Sequence, residues 1–304
     1  MLFPLRTDQE HNSPLDSETL MTTVRIHKLL AKRGVASRRE AERMVLEGRV
    51  TVNGETIVHP GHAVDPKTDR ICVDEDPIPE QPRTVYYLLH KPRGVITSRR
   101  DPQGRKGVLD LVTQLPERVE PVGRLDINTS GALLLTNDGD LAHKLTHPRS
   151  EIPKRYHVKV WRTPTPKTLE RIRKGIHLED GRTSPCKIRV IESTDTENAW
   201  LEITVTEGRN RLIRRMLEAV NHPVSKLRRV SFATISLRGL ESGELRPLSG
   251  DEVQRLRDIA VGIRPKKAGH NQRNRSGFAK AKPKPKGKPL SKKKSSRQRN
   301  RNGR

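Results

Sequence analysis

The sequence predicts an α+β protein in which a small αα-hairpin module with a sheet precedes a larger domain on a mainly antiparallel sheet. Three observations carry this reading. Apolar residues at helical spacing occur only in short stretches, and strand-like runs lie between them from about residue 85 onward. The connections are too short for a regular βαβ repeat. A content of 32% hydrophobic residues is low for one compact body of 304 residues, so part of the chain is expected to stay outside any core. The expected organisation is a leader over residues 1–21, the small module over 22–82, the larger domain over 83–258 and a tail over 259–304.

Residues 1–20 carry Asp8, Glu10, Asp16 and Glu18 against Arg6 alone and show no periodicity, which reads as a flexible segment; Met21 is a second candidate initiator. In the small module, Ile26, Leu29 and Leu30 follow the i, i+3, i+4 rule, and Gly34 is placed to stop that helix. Ser37 with Glu40 forms a predicted capping box, and Ala41, Met44 and Val45 give the second helix its buried face. Arg25, Lys28 and Lys32 line one stripe of the first helix, while Arg38, Arg39 and Arg43 crowd the second. Like charges at this spacing repel, so the face is either a plain solvated surface or a seat for an anionic partner. "VTVNGETI" alternates around Asn53-Gly54, a strong hairpin signal.

In the larger domain, strands are expected at "VYYLLH", "GVITS", "ALLLT", "RYHVKVW", "KIRVI" and "WLEITVT". Helices are expected at "DLAHKLTHP", closed by Pro148, and at "TPKTLERIRKG", with Thr165 as cap, Pro166 at the first position and Gly175 as stop. A third is expected in "NRLIRRMLEAVNHP". In "GRLDINTSGALLLTNDGD", Gly123 and Gly131 mark places where the backbone turns or comes close to something, and Ala132 to Leu135 reads as a buried strand ending in an Asp138-Gly139 turn. Asp126 therefore sits on a loop feeding a core strand. Such an aspartate beside an arginine is a turn former, a local ion pair or a catalytic carboxylate. Tyr156 shares a strand face with Val158 and Val160, which turns its ring to a buried or cleft-facing surface. Arg214 lies at the border of its helix's apolar face, beside Leu217, so its head either snorkels to water or reaches an acid.

Composition removes other classes. Cys72 and Cys186 lie far apart and form no CxxC pair, so neither a disulfide framework nor a zinc site is expected, and a reducing cytoplasm fits. No run of 18 apolar residues and no basic-then-apolar start occurs, so a soluble, non-secreted chain with no membrane partner is expected. Of the formal net charge of +25, +17 falls in residues 264–304, which hold 17 Lys and Arg and no Asp or Glu, leaving +8 for the rest. Such a tail cannot bury enough apolar surface to offset its ordering entropy; it is expected to be disordered and to bind polyanions with little sequence specificity.

"LLAKRGVASRREAERMVLEGRVTVNG" resembles the ribosomal protein S-four-like RNA-binding domain, whose two helices pack on a small sheet and present basic residues to structured RNA. "GRLDINTSGALLLTNDGDLAHKLTHP" resembles the signature of bacterial ribosomal-RNA pseudouridine synthases of the RsuA/RluB type. The resemblance extends to "LLHKPRGVITSRRDPQGRKGVLDLV", "RYHVKV" and "VTEGRNRLIRRMLEAVNHPVSKLRRV", and with the module it spans about residues 24–250 in the family's own domain order. It implies isomerisation of a specific uridine in ribosomal RNA to pseudouridine, with a lean towards the large subunit. It places the family's catalytic aspartate on Asp126, its active-site tyrosine on Tyr156, the basic partner of the aspartate on Arg214 and a uracil-pocket aliphatic on Ile213. Arg124 and the loop from Arg99 to Lys106, with Arg105 in it, are then expected to contact phosphates or bases, and Arg25, Lys28, Lys32, Arg38, Arg39 and Arg43 to bind RNA. The family resemblance implies no cofactor and no metal; the expected partner is ribosomal RNA or a pre-ribosomal particle, met by a monomer. Ala132 departs from the pattern, which has a larger aliphatic after the glycine.

Two rival readings remain at this level. His143 and His147 are four apart on a predicted helix with Asp138 and Asp140 just before them, a spacing a metal-dependent nuclease can use, although no third cluster of ligands follows. A non-catalytic RNA-binding ribosome-assembly factor needs only the module and tail, but leaves Asp126, Tyr156 and Arg214 unexplained together.

Overall fold

The computed structural model describes residues 23–98, 101–193 and 198–263. The expected leader over 1–21, Arg99 and the basic run 264–304 lie outside the described residues. Among the described residues no helix is long and apolar enough to cross a membrane.

The small module forms as its periodicity dictates. Helices Ile26–Lys32 and Arg38–Leu46 pack on a sheet ordered Glu55–Ile57, Val50–Val52, Ile71–Val73, Asp76–Pro77, around a core containing Ile26, Leu30, Ala41, Val45 and Val50. Ser37 accepts from the Glu40 N–H at 3.2 Å. The predicted capping box is only half made, because the Glu40 carboxylate pairs with Arg43 one turn along. Asn53 and Gly54 both have positive φ, 54° and 91°, as a tight hairpin demands. The Asn53 side chain also accepts from the Arg70 N–H at 2.9 Å and donates to Asp69 at 3.0 Å, which fastens the hairpin to the next loop.

In the larger domain the sheet runs Lys187–Ser193, Asn198–Val205, Lys154–Trp161, Val224–Phe232, Ser130–Thr136, Tyr86–Lys91, Leu245–Pro247. Neighbours are antiparallel except Val224–Phe232 and Ser130–Thr136, which run parallel and pair only at Arg228 with Ser130 and Arg229 with Gly131. This short junction joins two halves with separate cores. On one half, helices Pro166–Arg173 and Leu212–Glu218 bury Leu169, Ile172, Ile213 and Leu217 against Val158, Val160 and Leu201. On the other, helices Gly139–Thr146 and Gly250–Ala260 pack against Leu88, Ala132 and Leu134, while Leu89, Leu133 and Leu135 face a loop-built cluster with Val95, Val108 and Leu125.

The structure departs from expectation at several further places. "GVITS" is not a strand: it makes a single bridge, Ile96 with Gly107, because its backbone holds the neighbouring loop through Ile96 N–H to Lys106 O at 3.0 Å and Val108 N–H to Ile96 O at 2.9 Å. Asp138-Gly139 is not a free turn but a helix start, with Asp138 accepting from the Leu141 N–H at 3.0 Å. The nine-residue strand Val224–Phe232 sits in mid-sheet outside the expected strands, since Lys226, Arg228 and Arg229 obscure its alternation. Leu245–Pro247 adds an unpredicted edge strand. A last helix, Gly250–Ala260, absent from the expected ones, starts at a true Ser249–Glu252 capping box and buries Ile259.

Candidate active site

Asp126 is half-buried on a loop that its neighbours hold at several points. Thr129 N–H bonds Asp126 O at 2.9 Å, Gly94 N–H bonds Ile127 O at 2.8 Å, and the Thr97 hydroxyl donates to Leu125 O at 2.9 Å. Beneath the loop Lys91 is wholly buried. Its ammonium has three donors and meets three carbonyls: Pro92 at 3.0 Å, Asp126 at 3.2 Å and Thr129 at 2.9 Å. Burial pushes the Lys91 amine down to about 8, Asp126 pulls it back up, and Arg229 adds to the depression.

That shift has a sign that can be measured. Folded Lys91 releases its proton near pH 8, whereas an unfolded lysine holds it to about pH 10.4. Between those values the unfolded state binds more protons, so Lys91 makes folding more favourable as pH rises. Lys91→Met is expected to be less stable than wild type at pH 7, because three carbonyls lose their donor. The gap is expected to widen between pH 8 and pH 10; denaturant midpoints that stay parallel across that range would contradict it.

Arg214 projects from helix Leu212–Glu218 and straps two elements together, with Nη2 to Asn128 O at 3.0 Å and Nη1 to Val224 O at 3.3 Å. Among the described residues the Arg214 guanidinium forms no ion pair with the Asp126 carboxylate. Arg214 instead holds the Asp126 loop by its main chain and acts on the carboxylate by charge. Burial and then Arg211 keep the Arg214 guanidinium below the usual arginine range, with Asp126 opposing and Arg93 adding to the effect. One carboxylate is thus faced by Lys91 and Arg214, with Arg93 and Arg211 close enough to act on Arg214. Ile213 is buried in the same core against which Tyr156 packs.

Tyr156 lies half-buried where the two halves meet, touching both the core on its own half and the loop-built cluster of the other. Opposite it across the sheet stands Arg229, fully buried, whose Nε donates to Ala132 O at 2.7 Å and whose guanidinium sits 5.0 Å from the Phe232 ring centre. Burial drives its pKa down, and the Tyr156 side chain acts in the opposite direction. Lys91, Arg93, Arg211 and Arg229 escaped the sequence reading as site residues. The signal for the first two was present in the Lys91-Pro92-Arg93-Gly94 run beside a strand end; a fully buried arginine in mid-sheet leaves no local signal.

The other expected contacts divide. Arg124 and Lys106 are exposed. Arg105 is spent on a bidentate pair with Asp101, at 2.9 and 2.7 Å, which pulls the Asp101 carboxyl down to about 2; it clamps its own loop instead of standing free. Arg25, Lys28, Lys32, Arg38, Arg39 and Arg43 are all exposed. Arg43, however, is shared between Glu40 and Glu47, and the Arg38 guanidinium lies against Gly139. His143 and His147 stack edge to face at 5.6 Å, and Asp138 is occupied by the Leu141 N–H and by the Tyr86 hydroxyl at 2.6 Å. Among the described residues no group of three or more His, Cys, Asp or Glu is arranged to hold a metal ion.

The Asp126 carboxylate, the Tyr156 ring and the guanidinium groups of Arg93, Arg211 and Arg214 thus lie in one region of the fold. Comparison with known proteins agrees. The family model described as RNA pseudouridylate synthase matches residues 85–219, and the S4 domain model matches residues 24–71. Ribosomal large subunit pseudouridine synthase B of Bacillus subtilis is 45% identical over 237 residues, covering 78% of this chain and 96% of that protein. An uncharacterized RNA pseudouridine synthase of Aquifex aeolicus is 45% identical over 250 residues, covering 81% and 99%. A crystal structure of a pseudouridylate synthase superposes with a TM-score of 0.55 at 25% identity, covering 77% of this chain and 99% of that one. The chain belongs to the RNA pseudouridine synthase family, with an S4 domain ahead of the synthase domain.

Proposed function

We propose that the protein isomerises a specific uridine of large-subunit ribosomal RNA to pseudouridine, with Asp126 as the acting carboxylate. The observation that carries this reading is the Asp126 loop itself, tied down by Lys91 and Arg214 through main-chain carbonyls, contacts that leave its carboxylate unused. The name of the Bacillus relative supports the large subunit. The reaction breaks the bond from ring nitrogen to ribose, turns the uracil and rejoins it through carbon 5; one proton leaves carbon 5 and one is gained at nitrogen, so no oxidant or cofactor is required. A carboxylate serves this as nucleophile at ribose or ring, or by assisting glycosidic cleavage. Arg214 orients the loop and favours the charged carboxylate, Tyr156 stacks on the uracil with its hydroxyl placed to move a proton, and Ile213 lines the pocket. The target base must leave its stack to arrive there, which gives Arg124 and Lys106 a role at the flanking phosphates.

The six basic residues of the small module would grip structured RNA, so residues 22–82 dock and residues 83–258 carry the chemistry. The protein is taken to act as a cytoplasmic monomer on ribosomal RNA or a pre-ribosomal particle. RNA labelled with tritium at uracil carbon 5 is expected to release its label on incubation with the purified protein. Pseudouridine mapping in a deletion strain is expected to show one site lost from the large subunit; a site lost from the small subunit would overturn the subunit assignment. Deleting residues 264–304 is expected to weaken RNA binding chiefly at low salt and to flatten the plot of log affinity against log salt, with the modified nucleotide unchanged. Modification moving to another nucleotide would show that the tail reads sequence or shape.

A further inference from the structure

Both tryptophans of the protein, Trp161 and Trp200, lie on the sheet face turned away from Tyr156. Strand Lys154–Trp161 alternates: Tyr156, Val158 and Val160 point to the helix-covered core, which sends Arg155, His157, Lys159 and Trp161 to the opposite face. Cross-strand register extends that face. Trp200 stands opposite Lys159, and Lys159 opposite Lys226. One step along, Arg189, Glu202, His157 and Arg228 form a second rank.

This surface is open, and its charge is unbalanced among the described residues. Trp161 is 50% exposed, and Arg155, Lys187, Arg189, Lys226 and Arg228 are exposed as well. An open groove of about 390 Å³ runs between Arg155, Lys187, Arg189, Glu202, Thr204 and Ser231. Glu202, the acid within this groove, is already taken by Arg189 at 3.0 Å and His157 at 3.5 Å, with Arg155 at 4.0 Å. Lys159, Lys187, Lys226 and Arg228 have no carboxylate at ion-pair distance among the described residues; Glu192, opposite Trp200, is the further acid on the face. A solvated sheet face is normally polar and mixed in sign, so indole rings set among uncompensated cations need a ligand with both flat apolar surface and negative charge. Unpaired bases on a phosphate backbone meet both needs, and stacking on aromatic rings beside basic residues is how single strands are held.

We propose that this face is a second RNA-docking surface, which holds a single-stranded segment flanking the target uridine with phosphates on Lys159, Lys226 and Arg228 and bases on Trp161 and Trp200. The inference rests on the RNA-modifying role proposed above and adds a contact on the sheet face turned away from Tyr156.

Because both tryptophans lie on the face, emission of the full-length wild-type protein reports on it directly. Titration with a substrate RNA fragment bearing single-stranded flanks is expected to quench that emission saturably. The same fragment trimmed to its paired core should be modified with little quenching. Lys159→Glu with Lys226→Glu should weaken binding of the flanked RNA about tenfold and lower its salt slope by about 1.4, with kcat at saturating RNA unchanged. Trp161→Ala should remove much of the quench and leave turnover of the trimmed RNA intact. Flanked RNA that is modified with unaltered tryptophan emission, and bound equally by the doubly substituted protein, would overturn the proposal and leave the face to a protein partner. Quenching without tritium release from any RNA would uphold the docking surface while the isomerase reading fails.

Discussion

Asp126→Asn is expected to fold and bind RNA as the wild type does and to form no measurable pseudouridine, a loss of about a thousandfold or more. The substitution is nearly isosteric, and the contacts that hold the loop run through main-chain atoms: the Asp126 carbonyl to Lys91 and Thr129, the Asn128 carbonyl to Arg214. None of these uses the side chain. Asparagine keeps the shape but lacks the anionic oxygen that the proposed chemistry requires. RNA affinity should hold or rise slightly, since one negative charge leaves a site whose neighbouring charges, Lys91, Arg93, Arg211 and Arg214, are all positive. Tritium release from carbon 5 and a binding isotherm on the same preparation test both halves. Wild-type turnover by the folded variant would return Asp126 to the status of a turn residue.

Gly131→Ala is expected to be among the most damaging glycine substitutions of the described residues. At Gly131 φ is +120°, and a Cβ there would lie 2.2 Å from Arg229 O and 2.6 Å from Arg229 N, atoms of the facing strand that cannot swing aside. The parallel junction consists of only two paired positions, so it has no neighbouring ladder to absorb a displacement. Opening it strips the bond from Arg229 Nε to Ala132 O and parts the two halves that together position Tyr156 and the Asp126 loop. A cost of about 3–5 kcal/mol is expected, a large share of an ordinary domain's stability. Gly208→Ala serves as the control, with open space and ordinary φ, and should shift the denaturant midpoint little. Equal midpoints for the two variants would show that the junction is looser than its contacts imply.

These two positions also mark how far the sequence could be read. Asp126 and Gly131 lie five residues apart in one punctuated stretch, and both stand out there as a lone acid and a glycine before a strand. Asp126 acquires a role through family resemblance, because composition leaves a loop aspartate ambiguous. Gly131 reads as a site of close approach, but what approaches it, the Arg229 backbone nearly a hundred residues later, is invisible in one dimension. The same limit hid the central strand Val224–Phe232. Its outward Lys226 and Arg228 belong to an open basic face, and its inward Arg229 is a buried cation, so hydrophobic alternation fails on both sides.

By itself the sequence determined what local physics governs. Helices follow from apolar spacing and from the Ser37 and Thr165 caps, the hairpin from Asn53-Gly54, and the small module's basic face from charges three and four apart. Tertiary structure alone decided which charges meet. Arg105 was spent on Asp101, Arg43 was shared with two glutamates, and Arg214 was set on a carbonyl instead of the carboxylate. It also buried Lys91 beneath the Asp126 loop and gathered both tryptophans on one open sheet face. The reason is range: capping, turns and periodicity act over a few residues and are written in consecutive letters, whereas desolvation and ion pairing depend on groups that only folding brings within a few ångströms.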